Sequence, residues 1–109
     1  VKKPDMEEST LTEEQVRELK DKYNLTYMTC EEEEILLQDL NEMGILTKED
    51  CSSYTVSGGN IFESLNRQVS ADINLLYRMA ISGKYCNRHI EHIRSQQKLL
   101  YVLEQLIAE

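Results

Sequence analysis

The sequence contains no tryptophan, one phenylalanine, one proline and four glycines among its 109 residues. A β-rich domain normally uses more aromatic and β-branched residues, and a loop-rich fold uses more proline and glycine. Leucine and isoleucine are the commonest apolar residues instead. This composition predicts an all-α fold in one domain, because a chain of this length buries a modest core between packed helices.

The sequence also lacks long apolar runs. No window approaches the roughly 18 apolar residues of a membrane-spanning helix, and the opening VKKPDMEEST contains no apolar core of a signal peptide. The three cysteines, Cys30, Cys51 and Cys86, form an odd, widely spaced set without a CxxC pair. We therefore expect reduced thiols in a cytoplasmic protein that does not bind membranes.

Positive charge is scarce in the first half of the chain. Residues 1–50 contain 6 basic and 15 acidic side chains, whereas residues 51–109 contain 6 and 5, and the net charge is −8. An acidic surface repels phosphate backbones and anionic lipids, so nucleic acid is not an expected partner of the first half.

Helix start signals divide the chain. Residues 1–10 are polar and aperiodic, and we expect them to be disordered. Short helices are predicted within 12–54, because Thr12 with Gln15 and Thr29 with Glu32 form capping boxes and Thr47 is a third N-cap. The pair Gly58-Gly59 predicts a turn over 55–60.

A long helical segment is predicted over 61–108. Its first apolar stripe consists of Phe62, Leu65, Val69, Ile73, Leu76 and Ala80. Gly83 favours a chain reversal there, which predicts a small helical bundle: two or three short helices followed by a long helical hairpin. The alternative is a single helix of about 47 residues, roughly 70 Å long, which requires a partner chain to bury its stripe.

The segment YCNRHIEHIR contains a cysteine and both histidines at three-residue intervals. On a helix, at about 100° per residue, Cys86 falls in the apolar stripe, His89 on its margin and His92 on the polar side. Zinc ligands must converge on one point, and a spread of about 120° opposes this. We predict no metal or cofactor, with Cys86, His89 and His92 as the candidates if one is bound.

Basic residues cluster on the opposite face of the same predicted helix, from Lys84 through Arg88, His92 and Arg94 to Lys98. Four permanent charges are a small footprint for nucleic acid, particularly in an acidic molecule. We expect this face to be solvated or paired with acidic residues.

The C-terminal segment LLYVLEQLI is apolar around more than half of its helical circumference. A surface helix needs an apolar arc of only about 100° or somewhat more. Either the segment is enclosed by its own bundle, or part of it is an interface. We predict an interaction surface there, for a protein partner or for self-association, that consists of Leu99, Val102, Leu103, Leu106 and Ile107.

A local resemblance covers Leu37 to Cys51, LQDLNEMGILTKEDC. It is similar to the SHOCT short helical motif, in which a leucine-spaced helix precedes glycine, two aliphatic residues, Ser/Thr and acidic residues. Cys51 replaces the expected aromatic residue, and SSYTVSGG replaces the basic second helix. The resemblance implies an oligomerisation or adaptor role and no catalytic residues.

The sequence contains no nucleophile elbow, Walker loop, dinucleotide fingerprint or HExxH motif, so we predict no enzyme and no small-molecule substrate. The leading hypothesis is a non-enzymatic protein–protein interaction or regulatory module. One alternative is a metal- or thiol-dependent sensor centred on Cys86 and His89. Another is a nucleic-acid-associated protein that uses the basic face from Lys84 to Lys98.

Overall fold

The three short helices begin at the N-cap residues that the sequence predicts. The computed structural model describes residues 10–84 and 86–107 and contains within them five helices: α1 Glu13–Lys22, α2 Cys30–Glu42, α3 Lys48–Ser52, α4 Ile61–Ile81 and α5 Asn87–Gln105. The described residues include no β-strand, and the prediction of an all-α fold is confirmed. The predicted disorder of 1–10 falls almost entirely outside the described residues.

Each short helix begins with a reciprocal capping box. Thr12, Thr29 and Thr47 accept a hydrogen bond from the backbone N–H three residues later, and the side chain at that position accepts from the N-cap backbone N–H. Asn60 caps α4 by accepting from the backbone N–H groups of Phe62 and Glu63. An N-cap side chain typically stabilises a helix by about 1 kcal/mol. Local sequence therefore specifies four of the five helix starts.

The core lies where the three short helices pack against the first half of α4 and the second half of α5. The buried residues of α4 are Ile61, Ser64, Leu65 and Val69, all within its first nine residues. The fully buried apolar side chains from the rest of the chain are Leu19, Leu36, Leu40, Leu99, Val102, Leu103 and Leu106. The molecule is elongated, with extents of 46 × 30 × 24 Å, because the far ends of α4 and α5 extend beyond this core.

The chain reverses between α4 and α5. Gly83 has φ +74°, the left-handed conformation that ends many helices, and the Lys84 N–H donates to the Met79 carbonyl at 2.8 Å. After the turn, α5 runs back along α4, so that Gln96 contacts Asp72. The structure thus contains two packed helices, α4 and α5, and not the single long helix of the alternative prediction.

Two buried carboxylates tie the short segments to the bundle. Glu33 is fully buried, and its Oε1 accepts hydrogen bonds from the Tyr54 hydroxyl at 3.1 Å and from the backbone N–H groups of Ser57 and Gly58 at 3.0 and 3.3 Å. Asp50 accepts from Ser95 and Lys98 of α5. These contacts fix the 54–58 segment on α2 and fix α3 on α5.

Candidate interaction surface

The predicted C-terminal interaction residues lie mostly inside the chain's own core. Leu99, Val102 and Leu103 are fully buried and Leu106 is 2% exposed, whereas Ile107 is 56% exposed. The wide apolar arc of this segment packs against α3 and α4 and belongs to one apolar core with buried residues of α1 and α2. An exposed apolar surface has to be sought elsewhere on the molecule.

The largest run of exposed apolar side chains lies on the second half of α4. Ile73, Tyr77 and Ile81 are 43%, 68% and 71% exposed, at a spacing of four residues that aligns them along one side of the helix. Leu76, half-buried, and Ala80, exposed, lie beside them. We call Ile73, Tyr77 and Ile81 together the α4 ridge.

The α4 ridge exists because the apolar stripe of α4 is longer than the core that covers it. The stripe predicted from the sequence continues from Val69, which is buried, to Ile73 and Ala80, which are not. Sequence reasoning found Ile73 and Ala80 as stripe residues but missed Tyr77 and Ile81. Their signal was present, since they widen the apolar arc of α4 beyond what one neighbouring helix covers.

A polar network on the other side of α4 fixes how the ridge is oriented. Gln96 donates from Nε2 to Asp72 Oδ2 at 2.8 Å and to the Ser53 carbonyl at 3.2 Å. The His92 Nε2 atom lies 3.4 Å from the same Asp72 oxygen, and the His89 Nε2 atom lies 3.0 Å from the Asp72 carbonyl oxygen. These contacts turn Asp72 towards α5. The α4 ridge therefore faces away from α5.

Basic residues flank the α4 ridge on its free side. At about 100° per residue, Arg78 projects within about 60° of the direction of Ile81, and it is exposed. Lys84 follows the end of α4 and is also exposed. Asp72 is the single acidic residue between 64 and 84. The result is an apolar strip with a basic border.

The Cys86, His89 and His92 candidates lie near one another but do not form a metal centre. Cys86 is exposed and is the N-cap of α5, so its predicted position in the apolar stripe is wrong: helical spacing begins only at Asn87. The two histidine rings are stacked with centroids 6.3 Å apart, and a groove of about 280 Å³ runs beside them, lined also by Met79 and Arg88. Within the described residues, no three His, Cys, Asp or Glu side chains are grouped to hold a metal ion.

The basic face from Lys84 to Lys98 is partly neutralised. Lys98 Nζ lies 2.7 Å from Asp50 Oδ2, and His92 contacts Asp72. Burial alone would raise the pKa of Asp50, but hydrogen bonds from Lys98, from the Thr47 backbone and from Ser95 hold that pKa below its ordinary value. Lys84, Arg88 and Arg94 remain exposed on this face.

No protein-family model matches the chain, and neither the curated proteins nor the solved structures contain a match. The similarity of Leu37 to Cys51 to the SHOCT motif therefore stays a prediction. Those residues form the end of α2, a turn and the beginning of α3. In the described part of the chain, no helix combines the length and the apolar content that crossing a membrane requires.

Proposed function

We propose that this protein is a non-enzymatic helical interaction module, built as a small bundle with a C-terminal helical hairpin, that binds another protein through the α4 ridge. The observation that carries the proposal is the exposure of Ile73, Tyr77 and Ile81 in one line. Water solvates such side chains poorly, and contiguous apolar surface on a small domain is typical of contact sites. Tyrosine in particular is enriched among the residues that dominate binding energy.

The proposed location is the cytoplasm. All three cysteines are free, and Cys30 and Cys86 are exposed, as is usual for a reducing compartment. The nucleic-acid alternative has less support, since ion pairing with Asp50 removes Lys98 from the basic face. The metal- or thiol-dependent sensor also has less support, since the described residues include no group of three His, Cys, Asp or Glu side chains that could hold a metal ion.

Photo-crosslinking in cells of the native host tests the proposal. A photoreactive phenylalanine analogue replaces Tyr77 in one variant and Glu104, exposed near the far end of α5, in a matched control. We expect a discrete adduct from position 77 that is absent from position 104, with the attached segment identified by mass spectrometry. Equal adducts from both positions, or none from position 77, would exclude the α4 ridge as the contact surface.

A further inference from the structure

We propose that the partner of the α4 ridge presents an acidic amphipathic helix. This inference rests on the proposed function and adds the chemical class of the partner. Such a helix has apolar side chains on one face and aspartate or glutamate on the edge beside it. Both features are complementary to what the second half of α4 exposes.

The spacing of the ridge suits a helix better than an extended segment. Ile73, Tyr77 and Ile81 follow the four-residue row of an α-helix, which packs into the groove between such rows on a second helix. Over this stretch α4 is about 12 Å long, or a little more than two turns. Tyr77 lies at the centre and is 68% exposed, so it is the natural anchor of the contact.

The charges beside the ridge select an acidic partner. Arg78 and Lys84 form the basic border, and within residues 10–84 and 86–107 neither side chain forms an ion pair. Asp72, the one acidic residue between 64 and 84, is engaged towards α5. Carboxylates on the partner would therefore meet unpaired cations, whereas lysines or arginines would be repelled.

A second copy of this chain fits less well at the same place. If two ridges pack antiparallel about a two-fold axis, the axis brings Arg78 of both copies to the same edge. Like charges therefore oppose this symmetric ridge-to-ridge dimer.

Two other occupants are also disfavoured. The exposed face of α2 is acidic, but Ile35 is its one large exposed apolar side chain, so α2 of a second copy leaves most of the ridge uncovered. An anionic membrane attracts the basic border but repels the first 50 residues, which carry a net charge of −9.

Two designed peptides test the inference directly. Both are about 20 residues long, because shorter isolated helices are marginal in water, and both carry the same leucine face. One has glutamates beside the leucines and the other has lysines. Binding of each fluorescein-labelled peptide to the full chain is measured by fluorescence anisotropy. We expect the glutamate peptide to bind about tenfold more tightly than the lysine peptide, because two or three exposed ion pairs contribute about that much to affinity.

A charge reversal supplies the matched control. The double variant R78E/K84E should reverse the preference between the two peptides. The variant K48E/R94E changes the net charge by the same amount at exposed positions away from the ridge, and it should leave the preference unchanged. Y77S should weaken binding of the glutamate peptide by about tenfold or more, as loss of an anchor side chain does. Raising the salt concentration should reduce the difference between the peptides.

Several outcomes overturn the inference. Equal binding of the two peptides, binding of neither, or the same effect from K48E/R94E would remove the acidic helix as the partner class. So would ridge-dependent dimers in sedimentation or ridge-dependent binding to phosphatidylserine vesicles. If the photo-adduct at position 77 forms on a segment that is not acidic, this inference fails while the proposed function stands. If no adduct forms there, the proposed function fails by itself.

Discussion

Lys98 Nζ and Asp50 Oδ2 lie 2.7 Å apart at the junction of α3 and α5, and the lysine side chain is 23% exposed while the aspartate side chain is 9% exposed. The same carboxylate accepts from the Thr47 backbone and from Ser95. A short helix of five residues is thereby joined to a long one by a pair of charges that is largely removed from water.

This pair makes stability depend on pH. The pKa of Asp50 is lower in the folded chain than its ordinary value of 3.8. The contribution of Asp50 to the free energy of unfolding is therefore complete above pH 4 to 5 and is lost as pH falls through the folded pKa. We expect Asp50→Asn to lower the free energy of unfolding by about 2 kcal/mol at pH 7. In urea titrations across pH, the difference from the original chain should shrink below pH 4. Glu49→Gln, on the exposed neighbour, should change little. A difference that is constant with pH would contradict the pairing.

Glu33 is expected to contribute more to the free energy of unfolding than any other glutamate in the first turn of α2. Glu33→Ala leaves the Tyr54 hydroxyl and two backbone N–H groups without their acceptor. We expect a loss of about 2–4 kcal/mol in the free energy of unfolding, measured with urea. Glu34→Ala, next in the chain and exposed, should stay within about 0.5 kcal/mol. Similar losses from the two variants would show that the carboxylate does not anchor the 54–58 segment.

The α4 ridge should be dispensable for folding. Serine has a helix propensity close to that of isoleucine and tyrosine, so I73S/Y77S/I81S should change the free energy of unfolding by less than about 1 kcal/mol. Leu65→Ala, in the buried half of the same helix, should lower it by about 3 kcal/mol. Thermal and urea denaturation of the two variants make the comparison. Unfolding of the triple serine variant would mean that the ridge is part of the core.

Gly83 is expected to determine the reversal of the chain. Its φ of +74° is costly for any side chain with a Cβ, although a Cβ there meets no atom within 4 Å. We expect Gly83→Ala to lower the free energy of unfolding by about 1–2 kcal/mol and Gly83→Asn by less, with sedimentation unchanged. If Gly83→Ala instead gave an elongated dimer, α4 and α5 would have fused into one helix.

The three thiols should react at different rates. Cys30 and Cys86 are exposed, whereas Cys51 is half-buried and its Sγ lies 3.4 Å from the Leu37 carbonyl oxygen. Burial, together with the nearby Asp50 carboxylate, raises the pKa of Cys51 and lowers its thiolate fraction. A disulfide reagent such as Ellman's should therefore show two fast thiols and one slow thiol in the native chain, and Cys51→Ala should remove only the slow phase. Three equal rates would place Cys51 at the surface.

Sequence reasoning succeeded where a few adjacent residues decide the structure. The capping boxes at Thr12 and Thr29 depend on four consecutive residues, and the turn at Gly83 depends on the conformational freedom of one glycine. These capping boxes and this turn do not depend on tertiary packing. The starts of α1 and α2 could therefore be predicted without knowledge of the fold.

It was less successful where several elements decide together. An apolar arc shows that a helix needs covering, but it does not show what covers it. The arc from Leu99 to Leu106 is closed by the chain's own short helices, while the arc from Ile73 to Ile81 is left open. Cys86 was misplaced for a related reason, because a helical wheel assumes a helix start, and α5 begins one residue after it.

The division of α4 into a buried first half and an open second half has a consequence for how such a protein changes over generations. The buried residues of α4 end at Val69, and the ridge begins at Ile73, one helical turn later. Substitutions that do not touch one another generally have independent effects. If the α4 ridge binds a partner as proposed, partner choice is able to drift through Tyr77 and Ile81 while Ile61 and Leu65 keep the molecule folded. Recognition and stability would then evolve on separate parts of a single helix.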